Sequence, residues 1–137
     1  MRVTVSRKAH FNAAHRLYRS DWSDEKNNLV FGKCSNEHFH GHNYELIVNV
    51  NGEIDPATGF VIDMKVLKDL IKNEIENNLD HKNLNLEVPE FFNLNPTAEN
   101  IAVVIYNKLI PHLSKDQLLE IILYETPRNF VKYSGEK

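Results

Sequence analysis

The chain is poor in cysteine and has no long hydrophobic run. Cys34 is the only cysteine among the 137 residues, so an internal disulfide cannot form and a reducing compartment is expected. The longest apolar stretches are a few residues, such as Ile121-Ile122-Leu123-Tyr124, whereas a membrane-spanning helix needs about 20. The N-terminus enters a strand pattern without the hydrophobic region of a signal peptide. We therefore expect a cytoplasmic protein with no membrane partner.

Positive charge is also in short supply. The sequence has 16 Lys and Arg residues against 19 Asp and Glu, for a formal charge of −3. A general nucleic-acid binder carries a basic surface, so no nucleic-acid partner is expected, although a local basic pocket for a small anion stays open. Repeats, low-complexity tracts and polar linkers are absent from the sequence. We therefore predict a single domain over residues 1–137.

The alternation of apolar and polar residues predicts an α+β domain. Strands are predicted at about residues 2–15, 43–53, 119–125 and 130–133, and helices begin after the N-caps Asp63 and Thr97, the second ending near Pro111. Segregated helices and hairpin-connected strands indicate a four-stranded antiparallel sheet with two helices on one face. The segment Leu17 to Glu37 has no clear period and is predicted as a long loop, a kind of segment that is usually functional.

Three histidines carry the most specific chemical signal. His15 ends the first strand pattern, while His40 and His42 flank Gly41 at the start of the second, and each lies on the apolar side of its strand. Neutral imidazoles are common zinc ligands, and three protein ligands leave a coordination position open, as in catalytic zinc sites. Any one of these histidines alone is better explained as a hydrogen-bonded core residue. For the pair His40 and His42 the two interpretations weigh equally.

Two further features are candidates for acid–base chemistry. Cys34 precedes His40 by six residues and follows Lys33, whose charge would lower the thiol pKa and supply a thiolate. The alternatives for Cys34 are a small buried hydrophobe or a fourth metal ligand. The carboxylate of Asp80 could orient the imidazole of His81 as a general acid or base. Alternatively, this pair only marks the end of a helix, where a histidine cation favours the helix dipole.

Glu125 is an unusual carboxylate because it continues the apolar alternation of the third predicted strand. Its side chain should therefore point inward, where an unpaired charge is costly to bury. It could pair with Arg128 or Lys132, or it could accept hydrogen bonds from the N–H groups of a heterocycle. Glu99, in the first turn of the second helix, is explained by the helix dipole.

These features occur together in motifs that cover essentially the whole chain. The motifs are Phe11-x-Ala13-Ala14-His15, Phe31-Gly32-Lys33-Cys34 with five residues before His40-Gly41-His42-Asn43-Tyr44, Gly52-Glu53-Ile54-Asp55-Pro56, Leu79-Asp80-His81-Lys82-Asn83-Leu84, Pro96-Thr97-Ala98-Glu99-Asn100 and Tyr124-Glu125-Thr126. In them the chain resembles the family of 6-pyruvoyl-tetrahydropterin synthase and 6-carboxy-tetrahydropterin synthase. The resemblance implies the tunnelling fold, an oligomeric barrel in which two trimers stack into a homohexamer.

The resemblance also implies roles for individual residues. It makes Zn²⁺ the cofactor, 7,8-dihydroneopterin triphosphate the small-molecule substrate, and triphosphate elimination by a lyase the reaction. The implied assignments are His15, His40 and His42 as zinc ligands, Cys34, Asp80 and His81 as catalytic residues, and Glu125, Thr97 and Glu99 as substrate-binding residues.

The identity of the product depends on two motifs that point in different directions. Five residues between Cys34 and His40 are typical of 6-pyruvoyl enzymes, which serve tetrahydrobiopterin biosynthesis. The segment 96–100 is instead common in bacterial members, and the alternative is a 6-carboxy-5,6,7,8-tetrahydropterin synthase of queuosine biosynthesis, which releases acetaldehyde. A pterin aldolase or epimerase on the same fold is a further alternative. A metal- or pterin-binding module is disfavoured, because it would need neither Cys34 nor the pair Asp80 and His81.

Overall fold

The computed structural model describes residues 1–136, and Lys137, the last residue of the predicted domain, lies outside the described residues. These residues form an open five-stranded sheet in the order β3-β1-β2-β4-β5. The strands are β1 Arg2–His15, β2 His40–Glu53, β3 Lys82–Asn83, β4 Leu118–Tyr124 and β5 Phe130–Tyr133. The four predicted strands form an antiparallel sheet.

The prediction of only four strands is wrong because of β3. This strand has two residues and pairs in parallel with Ala13 and Ala14 of β1. Two residues are too few to show any alternation, so the sequence carries no signal for such a strand. Its effect is to tie the segment that follows the first long helix to the outer edge of β1.

Strands β1 and β2 pair over their full length, from Arg2 opposite Glu53 to His15 opposite His40. One face of this pair points into the core. Its buried residues are Phe11, Ala13, His15, Tyr44, Leu46, Val48 and Val50. At the far end of β1, Val3 is on the same face but is 43% exposed, so the buried stripe ends before the strand does.

Two long helices cover the apolar face of the sheet, and both were predicted with their caps. The first runs through α2 Met64–Ile71, a π-helical turn Lys72–Glu76 and α3 Asn77–Leu79. It is capped by Asp63, whose carboxylate accepts a hydrogen bond from the backbone of Lys65 at 2.8 Å. Its buried residues are Leu67, Ile71, Ile75 and Leu79, at the spacing of one helix face.

The second long helix is α5 Ala98–Leu109. The hydroxyl of Thr97 accepts a hydrogen bond from the backbone of Asn100 at 3.1 Å and caps its first turn. Ile101 and Ile105 are fully buried, and the helix packs on β4 and β5. None of the helices in the described part of the chain combines the length and hydrophobicity that crossing a membrane requires.

The prediction of only two helices is wrong, because the structure has, in addition to the two long helices, two short ones. They are α1 Asp24–Phe31, inside the segment predicted as a loop, and α4 Leu84–Glu87. Helix α1 has only Asn27 buried, and the Asn27 amide bonds the backbone N–H and carbonyl of Arg19 at 2.8 and 2.9 Å. Polar anchors therefore hold this helix in place of an apolar stripe, and hydrophobic periodicity could not reveal it.

Candidate active site

The pairing of β1 with β2 brings the three histidines together. His15 lies opposite His40, and His42 lies opposite Ala13 on the same face. One nitrogen of each ring lies within 4.8 Å of one nitrogen of the other two, and the Nε2 atoms of His15 and His40 are 3.0 Å apart. The convergence predicted from strand alternation is therefore present.

Two of the three histidines lie in surroundings that favour a neutral imidazole. The pKa of His15 is lowered from 6.5 to about 4, mainly by burial and also by the nearby rings of His40 and His42, while its hydrogen bond to Pro96 acts in the opposite direction. The pKa of His40 is also lowered, mainly by burial and then by His42. Neutral rings keep the lone pairs that a metal ion needs.

One nitrogen of the cluster has no partner. The Nε2 atom of His42 is buried and has no hydrogen-bond partner among the described residues. Buried polar atoms almost always have a partner, so a buried nitrogen without one, on a ring that belongs to a cluster of three histidines, suits a metal ligand. The donor set thus fits a metal ion that accepts three imidazoles, as Zn²⁺ does.

A backbone carbonyl orients the most buried of these rings. The Nδ1 atom of His15 lies 2.7 Å from the carbonyl oxygen of Pro96, whereas the Tyr44 hydroxyl is more distant at 3.4 Å. Donation of the Nδ1 proton to Pro96 leaves the lone pair on Nε2, which faces the other histidines. Neither Pro96 nor Tyr44 was a candidate from the sequence, because nothing in their spacing identifies a contact to an imidazole.

Cys34 lies in a 3₁₀ turn, Gly32–Ser35, and is half-buried, close enough to Glu125 and Tyr44 for their charges to interact. The pKa of its thiol is raised, first by burial and then by the charge of Glu125. The expectation that Lys33 lowers this pKa is therefore wrong. Lys33 is exposed, and the charge that the thiol meets in space is a carboxylate and not the ammonium adjacent in sequence.

Glu125 follows β4 and faces the histidines from one side. Its Oε1 atom lies 4.0 Å from Nε2 of His42, and its side chain is only 25% exposed. Ion pairs of Glu125 with Arg128 or Lys132 do not occur within residues 1–136. The inward orientation that its alternation predicted is present.

A cavity of about 350 Å³ opens beside Glu125. Thr97 and Glu99 line it with Glu125, so the three residues expected to bind substrate share one cavity. Apolar side chains of the same cavity come from α1 and its flanks and from β5, namely Leu17, Val30, Phe31, Phe130 and Val131. Sequence reasoning missed these walls, because Leu17, Val30 and Phe31 come from a segment without apolar periodicity and no local pattern shows that β5 lies beside them.

Asp80 and His81 contact each other as predicted, but they do so away from the histidine cluster and the cavity of Glu125. The Nδ1 atom of His81 is 3.0 Å from Oδ2 of Asp80, and the His81 side chain is 84% exposed. Backbone groups of Asn12 hold both residues, since its N–H donates to Asp80 Oδ1 at 2.9 Å and its carbonyl accepts from the N–H of His81 at 2.6 Å. The Asn12 hydrogen bond is the main cause of the lowered pKa of Asp80.

This acid–base pair is separated from the histidine cluster within one chain. It lies along the edge of β1 beside Asn12, which precedes His15 by three residues, or about 10 Å of extended strand. Neither Asp80 nor His81 lines the cavity of Glu125. The structure therefore brings together Cys34, Glu125 and the three histidines, but leaves the pair on the outside.

Comparison with known proteins shows the family to which the chain belongs. A family model described as PTPS, 6-pyruvoyl tetrahydropterin synthase, matches residues 4–136. The chain belongs to this family. A synthase family member named 6-pyruvoyl tetrahydrobiopterin synthase, from Pongo abelii, is 49% identical over 132 residues, covering 96% of this chain and 91% of that protein.

A solved structure and a more distant relative give two further comparisons within the synthase family. The structure of 6-pyruvoyl tetrahydropterin synthase from Caenorhabditis elegans has a TM-score of 0.92 and 37% identity, covering 99% of this chain and 97% of that chain. A 6-carboxy-5,6,7,8-tetrahydropterin synthase from Rickettsia conorii is 31% identical, covering 95% of this chain and 99% of that protein. The similarity is therefore greater to members named for the 6-pyruvoyl product.

Proposed function

We propose that this chain is a zinc-dependent 6-pyruvoyl-tetrahydropterin synthase, a lyase that eliminates triphosphate from 7,8-dihydroneopterin triphosphate. The observation that carries the proposal is the convergence of three histidine rings next to Glu125, whose charge also acts on Cys34 and whose side chain lines the cavity. The high identity to relatives named for this product supports it. A single domain over residues 1–137 would hold all the residues that one subunit contributes.

His15, His40 and His42 would hold the zinc ion through three ring nitrogens. Three protein ligands leave a position for substrate oxygen, which distinguishes a catalytic site from a structural one. Zinc bound there would supply Lewis acidity to the hydroxyls of the substrate side chain and make the adjoining carbon more acidic. The protein's own contribution is to keep the rings neutral and fixed, through burial and through the Pro96 carbonyl.

The cavity would bind the pterin ring. Its volume, about 350 Å³, falls within the range of small-molecule pockets. Glu125 would accept hydrogen bonds from the ring N–H groups, with Thr97 and Glu99 beside it. Apolar walls from Phe31 and Phe130 would cover the heterocycle and exclude water.

Proton transfer would be divided between two groups. Cys34 would take the proton from the substrate carbon as a thiolate, and its raised pKa keeps it mostly protonated until a nearby cation offsets the effect of burial and Glu125. The imidazole of His81, oriented by Asp80, would protonate the other side of the substrate.

The assembly proposed for this chain is a homohexamer in the cytoplasm. The acid–base pair is exposed on one edge of the sheet, while the cavity that needs it lies elsewhere on the same chain. A neighbouring copy that pairs along the sheet edge would place its pair at this chain's cavity and would also cover exposed edge strands. Light scattering that finds a stable and active monomer would contradict this assembly.

The function is tested by identifying the product. Purified zinc-loaded protein is mixed with 7,8-dihydroneopterin triphosphate, and metal-free protein serves as the control. We expect triphosphate and a 6-pyruvoyl tetrahydropterin by mass spectrometry, with little acetaldehyde, because of the five residues between Cys34 and His40. Stoichiometric acetaldehyde with 6-carboxy-tetrahydropterin would assign the queuosine-pathway activity in its place, and absence of turnover would refute both.

A further inference from the structure

The turn Asn95 to Thr97, which precedes α5, carries the Pro96 carbonyl that contacts His15. A side chain of α5 holds this turn in place. We infer that Asn100 is a positioning residue of the metal centre, which acts on His15 through the carbonyl of Pro96. The inference rests on the zinc site proposed above. It adds a residue that does not itself line the cavity and that makes no hydrogen bond to the histidines.

The orientation of the Pro96 carbonyl follows from one backbone hydrogen bond. The N–H of Thr97 donates to the carbonyl of Asn95 at 2.8 Å, which closes a three-residue turn centred on Pro96. In a trans peptide the N–H of one residue and the carbonyl of the preceding one point in opposite directions. The bond to Asn95 therefore turns the Pro96 carbonyl the other way, toward Nδ1 of His15 at 2.7 Å.

The side chain of Asn100 holds the acceptor of that bond. Its Nδ2 donates to the carbonyl oxygen of Asn95 at 2.8 Å, so this oxygen receives two hydrogen bonds. The backbone N–H of Asn100 also donates to the Thr97 hydroxyl at 3.1 Å. One residue thus contacts both ends of the turn that presents the Pro96 carbonyl.

The anchor is rigid because Asn100 belongs to a buried helix. It is the third residue of α5, next to Ile101, which is fully buried. The turn has two further attachments, from the backbone N–H of Tyr18 to Oδ1 of Asn95 at 3.1 Å and from the backbone N–H of Ile101 to the carbonyl of Thr97 at 2.9 Å. Asn100 is the residue of α5 whose side chain ties the Asn95 carbonyl, and through the turn the ring of His15, to this helix.

Loss of the Asn100 amide donor should weaken zinc binding. Without it the turn loses one of the two bonds on the Asn95 carbonyl, and the Pro96 carbonyl is less well fixed toward Nδ1 of His15. Changes to groups that hold a ligating histidine lower metal affinity by about 10- to 100-fold. Since Asn100 acts through an intermediate carbonyl, we expect about tenfold.

The test compares two identical changes on one helix, Asn100→Asp and Asn107→Asp. Aspartate at position 100 keeps the shape and the backbone bond to Thr97, and an acidic group in the first turn favours the helix dipole, so α5 itself should remain stable. Its carboxylate cannot donate to the Asn95 carbonyl. Asn107 is exposed and has no side-chain hydrogen bond within residues 1–136, which makes it the matched control.

The readouts are the zinc dissociation constant by chelator competition and the absorption spectrum of the Co²⁺-loaded protein. We expect about tenfold weaker zinc binding and altered Co²⁺ bands for Asn100→Asp, with Asn107→Asp within about twofold of the unchanged protein. Asn100→Ala, which removes the amide without adding charge, should show the same loss. A lower melting temperature with unchanged zinc affinity and Co²⁺ bands would overturn the inference, because it would reduce Asn100 to a structural role. If the unchanged protein binds no zinc, the proposed function fails instead.

Discussion

The histidine centre and the Asp80–His81 pair both depend on β1, yet they differ in almost every physical respect. His15 is completely buried, and burial lowers its pKa to about 4. His81 is 84% exposed, and it is held at the strand edge by the backbone of Asn12. The histidine centre is built entirely from one chain and is largely shielded from solvent, whereas the Asp80–His81 pair lies exposed at the sheet edge.

This difference corresponds to what each site must do. A metal centre needs neutral ligands fixed against one another, and burial in the sheet interior supplies both conditions. A proton donor and acceptor must change charge, which is costly in a dry interior without a partner. In the proposed assembly, this oriented but exposed acid–base pair is completed by the surface of another copy of the chain.

The largest effect is expected when a ligand of the histidine centre is removed. His40→Ala or His42→Ala leaves two imidazoles, so zinc content should fall sharply and turnover should drop by at least about a thousandfold. Elemental analysis and the product assay measure both. His38→Ala is the control, because this neighbouring histidine has an 85% exposed side chain and lies outside the cluster. Full zinc occupancy in either ligand variant would show that the centre is wrongly assigned.

A somewhat smaller loss is expected when the thiol beside the centre is removed. Cys34→Ala should retain zinc and pterin binding while kcat falls by about a thousandfold or less, because only the proton-transfer step needs the thiolate. Zinc content, pterin binding and kcat are measured on the same preparation. Loss of zinc would make Cys34 a ligand, and near-normal kcat would reduce it to a packing residue.

The exposed Asp80–His81 pair should respond to mutation differently from the histidine centre. His81→Ala and Asp80→Asn should keep full zinc content and lose kcat by about a hundredfold, since they remove only the acid–base group. The decisive measurement is complementation between His81→Ala and His42→Ala chains, co-expressed with different tags and purified on both tags.

Complementation depends on whether the two halves come from different copies. Random mixing would leave about a quarter of the sites with an intact centre and an intact pair, and activity should recover to about that fraction. If the co-expressed chains stay inactive, the histidine centre and the Asp80–His81 pair must act within one chain, and the idea that two copies share a site is wrong.

The smallest effect concerns stability. In metal-free protein the folded state resists protonation of His15 down to about pH 4, while the unfolded chain takes up that proton near pH 6.5. Stability should therefore fall as the pH drops from about 6.5 to 4, by at most about 3 kcal/mol from this group. Urea unfolding at several pH values measures the slope. His15→Asn should flatten it, whereas an unchanged slope in that variant would exclude His15 as its source.

Much of the fold could be predicted from the sequence because its main elements bury regular apolar stripes. The face shared by Phe11 and His15 on β1 and by Tyr44 on β2 follows from alternation alone. The caps Asp63 and Thr97 follow from residue type and position. What escaped prediction lacks such periodicity, as in α1, whose one buried residue is the polar Asn27.

The candidate site was predictable to the extent that strand pairing determines it. Three histidines on inward faces had to approach one another once β1 and β2 paired. The electrostatics could not be predicted, because the charge that acts on Cys34 comes from Glu125, which is remote in sequence. The location of Asp80 and His81 could not be predicted either, since it depends on hydrogen bonds to Asn12 that no local pattern encodes.

The pairing of His15 opposite His40 has a consequence for how this chain can change. Residues 16–39 join the two ligands, but strand pairing fixes the ligands and the length of that connection does not. Inserting or deleting residues in the connection should leave the three imidazoles in place, whereas one residue added inside either strand would send side chains to the opposite face. Cys34 lies within the adjustable stretch. Hydrogen bonds tie Cys34 and Ser35 to Leu17 and Arg16, so the segment that sets the distance from the thiol to the proposed metal centre is the one between Cys34 and His40. Changing the number of residues there is a direct way to redesign which bond of the substrate is cleaved.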